Sequence, residues 1–452
     1  MSKKISRRQW MSVLAASAGG VGLSSLGTSR FLRADIATRD DAPEGIGVSG
    51  SEASPCLYTA EGVVQPRKMI DTIHETDVLV VGAGPAGTTA AIAAARAGVK
   101  VTLVERYGHF GGLSTGGLVL VILGHWTADG TQVCQGVGEE IMQRLDDIEG
   151  GIVNRRDKVN PTVDAEALKY VSLEMIAEAG IDVFLHSWAV DAVMDGPVIR
   201  GVVFESKSGR RAILAKQVID TTGDGDIFAA AGASHEERLY HIGLPYRIGG
   251  LDRVDQEATR GQRLPRHLGS VTPINGVRWV NMHGPDANGL DVRELSRLEM
   301  EHRRQIWKQV AELKSSPGYE DVYLMETAPQ MGVRISRVID GEETLTIAGV
   351  RAEREFDDCV AIGGAWNADH VAWQIPYGSL LSKNVDNLLT AGRSLCGEPR
   401  MSDLIRVIPN CWVSGQAAGA AAATAVRQSC VARDVDIPTV QTLLRSQGAY
   451  LE

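Results

Sequence analysis

From Thr76 the chain reads as an apolar run, TDVLVVGAGPAG, then an alanine-rich stretch, TTAAIAAARAG, then a second apolar run, VKVTLVE. Apolar runs bounded by glycine predict buried strands, and the longer small-residue stretch between them predicts a helix, so the segment is a βαβ unit. The alternation returns over 161–235. A helix is expected from about Asp164 to Ala179, strands near Ile181–Leu185, Ala189–Met194 and Gly201–Glu205, and a strand Gln217–Asp220 running into TTGDGD. Residues 236–320 are polar and arginine-rich, ending in a long amphipathic helix, DVRELSRLEMEHRRQIWKQVAEL, stopped by SSPG. Buried character returns with DNLLTAGR, a strand entering a glycine turn, and CWVSGQAAGAAAATAV, a small-residue helix. Strands separated by helices predict an α/β chain with a doubly wound parallel sheet.

Ahead of this region the pattern differs. MSKKISRRQW places Lys3, Lys4, Arg7 and Arg8 before a weakly apolar Ala/Gly/Ser/Leu run, the charged-then-apolar order of a secretory signal. The pair Arg7-Arg8, between Ser6 and Trp10-Met11, gives residues 1–34 the look of a twin-arginine signal, with cleavage after Ala34 or Ala37 and a periplasmic or extracellular destination. A membrane span needs roughly 20 mostly apolar residues, and this run is shorter and rich in Gly and Ser, so no stable span is expected. Residues 35–70 mix Pro, Gly, Ser and charge without periodicity and read as a linker or surface extension.

The 452 residues carry 46 Lys and Arg against 56 Asp and Glu, a net charge of -10. That balance argues against a nucleic-acid partner, which requires clustered positive charge. The cysteines, Cys56, Cys134, Cys359, Cys396, Cys411 and Cys430, show no CxxC, CxxCH or paired metal spacing, so no metal site is expected.

The strongest chemical signal is Gly82-Ala83-Gly84-Pro85-Ala86-Gly87 at the strand-to-helix turn. In such a turn the first glycine permits the bend, the second lets backbone approach a pyrophosphate, and the third lets the helix pack on the strand. Glu105 ends the next strand, where a carboxylate accepts hydrogen bonds from ribose hydroxyls, and Arg106 follows it. Dinucleotide binding is the prediction.

Further along come RYGHFGGLSTGGLV, IDTTGDGD at 219–226, LLTAGRSLCGEPR and RVIPNCWVSGQAAG at 406–419. With the glycine turn, these resemble the FAD-dependent oxidoreductases whose flavin fold is shared with fumarate reductase and succinate dehydrogenase flavoproteins, from about Thr76 to Ala425. The resemblance implies a Rossmann-like FAD-binding domain built from 71–235 and 381–430, an inserted α+β substrate or cap domain over 236–380, and a C-terminal extension over 431–452. It implies FAD as the cofactor, with Gly111, Gly112, Ser114 and Thr115 beside the pyrophosphate and flavin. Val190 is then expected at the adenine and Asp224 on the adenosine side. Gly392, Arg393, Gln416, Ala417 and Ala418 are expected where a helix N-terminus faces the flavin pyrimidine, since that end favours the negative charge of a reduced flavin.

The implied activity is hydride transfer between a small organic substrate and the flavin. Residues 108–124 hold no cysteine, which removes the redox pair of disulfide reductases. Only one dinucleotide fingerprint is present, so no dedicated NAD(P)H domain is expected, and electrons pass to or from a separate exported carrier: a small cytochrome, a quinone or oxygen. Hydride transfer also needs a group for the accompanying proton and, for an anionic substrate, charge clamps. Arg334, Arg337 and Arg406 are the candidate clamps, with salt bridges to acids as their ordinary alternative. His370 is the candidate proton-transfer residue, with a structural role open beside it. Trp366, Trp373 and Tyr377 read as packing, with a platform for a ring-shaped substrate as the alternative; His109 reads as a loop histidine, with a covalent link to FAD as the alternative; and His235 and His241, six apart, do not share a helix face as zinc ligands would. A flavin-dependent lyase or isomerase without net electron transfer, and a redox-inactive flavin-fold binding protein, stay open as alternatives. The oligomeric state is not fixed by these residues.

Overall fold

The computed structural model describes residues 55–127, 130–155, 161–260, 268–364 and 372–452. The twin-arginine segment, Trp366 and His370 lie outside the described residues. Two units are distinguished, Met1–Lys68 and Met69–Glu452. In the first, Leu57–Thr59 and Gly62–Val64 pair as an antiparallel hairpin, which the reading of 35–70 as an unpatterned linker missed. Three-residue strands are too short for alternation to show.

In the second unit, a mixed sheet runs in the order Asp182–Phe184, Val101–Val104, Thr72–Val81, Gly209–Asp220, Val198–Ser206, Trp188–Asp195. Leu388–Thr390 pairs in parallel with the end of Gly209–Asp220, at Val218 to Asp220. The first four strands are parallel, and the last two add an antiparallel meander. Val78 to Val81 and Val101 to Val104 are all buried, as strands covered on both faces must be. This is the α/β, Rossmann-like architecture. Gly209–Asp220 is longer than the expected Gln217–Asp220 because Arg210, Arg211 and Lys216 interrupt the apolar pattern along its length.

The helices Pro85–Arg96 and Ile408–Gln428 cross at backbone contact. A Cβ on Gly415 would lie 2.1 Å from the Ala86 carbonyl oxygen, and one on Gly419 2.1 Å from that of Ala90. Thr89 Oγ1 donates to the Trp412 carbonyl at 2.8 Å across the same contact. The C-terminal extension carries a helix, Ile437–Ser446, capped by Asp436. Gln447 Nε2 fastens it by donating to Ala93 O at 2.9 Å.

Residues 236–380 build small antiparallel sheets, the largest ordered Ser270–Val271, Arg278–Val280, Tyr246–Gly249, Tyr323–Thr327. The helix Val292–Lys314 is capped by Asp291 and buries Leu298, His302, Ile306 and Val310, a stripe at four-residue spacing. Arg247, buried, joins this part to the large sheet's layer. It pairs with Asp164 at 3.0 Å and with Glu326, while Asp164 also caps Ala165–Glu178. One apolar cluster includes residues of both parts, such as Val80, Leu103, Ile248 and Val280.

Replacing Gly415 or Gly419 with alanine is expected to destabilise the protein by about 1 to 3 kcal/mol, because backbone rather than a yielding side chain faces the added methyl. In a free helix the same change stabilises by about 1 kcal/mol. Urea unfolding of the two variants reads the sign directly.

Candidate active site

A cavity of about 380 Å³ opens at the C-terminal ends of the parallel strands, lined by Val81, Val104, Glu105, Thr221 and Ala391 among others. Ligands of open α/β sheets bind at this edge because helix N-termini and turn amides converge there. The volume lies in the range of small-molecule sites, about 300–1,000 Å³.

At its centre is the glycine turn. Gly82 sits at φ 95°, and a Cβ there would fall 2.6 Å from the Thr221 carbonyl oxygen. A Cβ on Gly87 would overlap the Gly82 carbonyl oxygen at 1.8 Å, so this position seats the helix rather than the cavity wall. Gly84 differs: it lines the cavity, and nothing lies within 4 Å of where its Cβ would be. Glu105 is buried and braces the turn, accepting from the backbone N–H of Ala83 at 2.7 Å and of Tyr107 at 2.8 Å.

Of the residues singled out in the sequence, Gly82, Gly84, Pro85, Ala86, Glu105, Arg106, Gly112, Gly392, Arg393, Arg334 and Arg406 line the cavity. Arg106 stands 5.0 Å from the Tyr107 ring centre and 5.5 Å from that of Trp188. Others lie behind the wall. Gly111 binds the turn through its amide, 2.7 Å from Ala83 O, and the Ser114 and Thr115 hydroxyls are spent on the Gly111 and Phe110 carbonyls, each at 2.6 Å. Val190 is not a lining residue; on its strand Trp188 and Ala189 take that place, and Val190 is exposed. Asp224 also turns away, accepting from Ser336 Oγ at 2.7 Å. The acid of this loop that lies on the cavity side is Asp226, pushed up to about 6 by burial and then by the charges of Asp224 and Asp220.

Arg337 is not in the cavity. Its guanidinium is held by the Asp224 carbonyl at 3.0 Å and by Asp226 at 3.2 Å, the ion-pair alternative. Gln416, Ala417 and Ala418 are buried about two turns into a helix that starts at Ile408. Gln416 Oε1 accepts from Val137 N at 3.0 Å, and the residues this helix gives to the cavity are Ile408 and Cys411. Trp373 and Tyr377 are buried. His109 is not a lining residue and stacks on Tyr107 at 5.6 Å.

The far end of the cavity, formed by residues of the inserted part, includes Trp279, Asn281, Gln330, Arg334 and, from the return segment, Arg406. Arg334 donates to the His241 carbonyl at 3.1 Å and to Asn281 Oδ1 at 3.2 Å. Arg406 pairs with Asp403 and lies 5.9 Å from the Tyr240 ring centre. Tyr240 is pushed up to about 12 by burial and then by Asp403. Tyr240, Asn281, His283 and Gln330 went unread in the sequence because their segments carry no spacing motif. HEERLYH drew notice only as a failed zinc pattern, although it holds both Tyr240 and His241.

A model of one family, FAD dependent oxidoreductase, matches residues 77–238 and 249–444. The chain belongs to this family. Its cofactor is FAD. It is similar to the digeranylgeranylglycerophospholipid reductase of Picrophilus torridus, 29% identical over 54% of this chain and 62% of that one. It is similar also to the thiamine thiazole synthase of Methanococcus maripaludis, 30% identical over 33% of this chain and 57% of that one. The matches thus span about three-fifths of these relatives. Among solved structures, a geranylgeranyl bacteriochlorophyll reductase-like protein of Thermoplasma acidophilum matches with a TM-score of 0.44 and 16% identity, over 82% of this chain and 83% of that one.

The residues present fit FAD. The space over Gly84 is what a pyrophosphate would fill, and the helix beginning at Pro85 has no side-chain cap on its first turn. Gln330 Oε1 is buried without a hydrogen-bond partner on a residue that lines the cavity, a group that a ligand would satisfy.

Gly84→Val places two methyls in the cradle without backbone strain, since Gly84 has φ -67°. The expected variant is folded, with near-native far-UV circular dichroism, and binds FAD at least about tenfold more weakly. Flavin fluorescence during dialysis measures this. Unchanged affinity would move the pyrophosphate elsewhere.

Proposed function

We propose that the protein transfers a hydride between a small organic substrate and FAD, and exchanges the electrons with a separate carrier. The observation that supports this most directly is the continuity of the cavity, which runs from the glycine cradle at Gly84 to the arginines Arg334 and Arg406. When bound, FAD supplies the two-electron centre that accepts or returns the hydride. The chain's own residues do the rest. Gly82, Gly84, Pro85, Ala86 and Gly112 would hold the cofactor's phosphates, Glu105 and Arg106 would flank its ribose and adenine, and Arg334, Arg406 and Asn281 would orient the substrate at the opposite end. Leu113, Val119, Val121 and Leu123 lend that cavity an apolar wall, which keeps water from the reacting atoms.

The carrier is read from what the sequence lacks: with one dinucleotide fingerprint, reduction or oxidation by a nicotinamide has no second domain to use. A small cytochrome, a quinone or oxygen takes that role. Export follows from Arg7-Arg8 and the weakly apolar run behind them. A route for folded proteins suits an enzyme whose cofactor is acquired in the cytoplasm.

The test is an absorbance spectrum of the purified protein, anaerobic photoreduction, and re-oxidation with oxygen, a quinone analogue or a cytochrome. Flavin bands that bleach, and return fastest with one acceptor, are expected. Turnover of a substrate without any acceptor would replace hydride transfer with a lyase or isomerase reaction. Cell fractionation of the Arg7→Lys, Arg8→Lys double variant is expected to show retention in the cytoplasm, and unchanged distribution would remove the export assignment.

A further inference from the structure

The arginine end of the cavity has a charge imbalance. Arg334 makes its hydrogen bonds to neutral groups, the His241 carbonyl and Asn281 Oδ1, and among the described residues no carboxylate pairs with it. Burial and then the charge of Arg406 bring it down to about 10, so the two guanidinium groups feel one another. Asp403 pairs with Arg406. Burial alone would raise that carboxyl, but hydrogen bonds from Arg406 and Tyr240 outweigh it and hold it below the ordinary range. Two cations thus stand at the wall of a cavity with an acid paired to Arg406 alone, and the half-buried Arg334 guanidinium is left to be balanced by a ligand's negative charge.

Behind the arginines stands His241. Its ring stacks on Tyr240 at 4.5 Å and on His283 at 5.4 Å, and its Nδ1 lies 3.9 Å from Asp286. The groups that face it come from every neighbouring segment: Arg334 beyond Gly332–Val333, Asp403 and Arg406 around Ser402–Ile405, His283 beside Asn281, and Asp286 on the paired strand. Burial, then Arg334, then Arg406 push it down to about 4. His283 is pushed down by burial and by the same two arginines. The Arg334 donation to Asn281 Oδ1 turns the Asn281 amide nitrogen to His283 Nε2 at 3.2 Å. His283 Nε2 is then an acceptor and the ring neutral.

We propose that this end of the cavity is a proton-linked oxyanion site: a carboxylate or phosphate group of the substrate seats between Arg334 and Arg406, and its arrival loads one solvent proton onto His241. The proposal rests on the assignment of this end to the substrate. An oxyanion offsets the guanidinium repulsion that adds to burial in keeping the empty site's imidazole neutral, and burial remains, so proton uptake begins just above about 4 and ends short of the ordinary histidine value of about 6.5. His283, held as an acceptor by Asn281, takes none. By linkage, the anion binds more tightly as the pH falls through the same window.

Calorimetric titration of the FAD-loaded protein with formate, and separately with sulfate as the tetrahedral counterpart of phosphate, in two buffers of unlike ionisation enthalpy tests this, since neither anion exchanges a proton of its own in this window. Net uptake of a fraction of one proton per anion is expected at about pH 5.5, and none at about pH 8. The tighter of the two anions identifies the group. Arg334→Gln is expected to weaken binding about 10- to 100-fold. His241→Asn is expected to bind the anion without buffer dependence, its fold verified by an unchanged flavin spectrum. Buffer-independent binding by the parent protein at about pH 5.5, uptake retained in His241→Asn, or binding of neither anion would each overturn the proposal. Photoreduction of the same sample reports the flavin separately, so a protein that bleaches and recovers but binds no anion fails this inference alone.

Discussion

The whole site depends on how closely two helices approach. Pro85–Arg96 begins at the glycine turn, and Ile408–Gln428 begins beside it although more than three hundred residues intervene. Glycines at 415 and 419 let the second helix lie on the carbonyls of Ala86 and Ala90. Gly392 lies against Ala86 and Cys411 beside that contact, and all three line the cavity with Ile408. A bulkier seam would separate the two helix N-termini and widen the space between cradle and arginines. The alanine-rich composition of both helices is therefore a packing requirement as much as a helix preference.

A second layer of constraint fixes the loops around the cavity. Asp220, at the end of its strand, accepts from the backbone of Ile227 and Phe228 at 2.9 Å each, so the TTGDGD loop folds back on the strand that precedes it. This presents Thr221, Thr222, Gly223 and Asp226 to the cavity and leaves Asp224 free to pair with Arg393 at 3.4 Å. Arg393 in turn donates to the Arg334 carbonyl at 3.2 Å. A continuous polar path thus links the loop beside the glycine turn to the backbone that carries the clamp arginine. Buried networks of this kind hold geometry only while every member is satisfied.

Much of the fold was legible from local pattern. The βαβ unit, the helix after Asp164 and the small-residue helix after Arg406 follow from apolar runs and caps whose signals are short-range. The hairpin at 57–64 and the short strands of the inserted part were not, because two- to five-residue strands lack a period to detect. Within the site, the glycine turn and Glu105 were legible because a tight bend and a strand-ending acid are local facts. The misplacement of Asp224, Gln416 and Arg337 has a common cause. Each motif names a neighbourhood, but which of two adjacent side chains faces the cavity is set by partners remote in sequence, such as Ser336 for Asp224 and Val137 for Gln416.

What the sequence determined by itself was the class of fold, the position of the cradle and the family, since backbone bends, caps and close approaches are written in runs of a few residues. Only the tertiary structure decided the other end of the cavity. Tyr240, His241, Asn281, Arg334, Asp403 and Arg406 come from four stretches of chain, and their chemistry arises from mutual distance. A histidine is kept neutral by burial and then by guanidinium groups about a hundred residues or more away along the chain, and both arise only once the chain has folded.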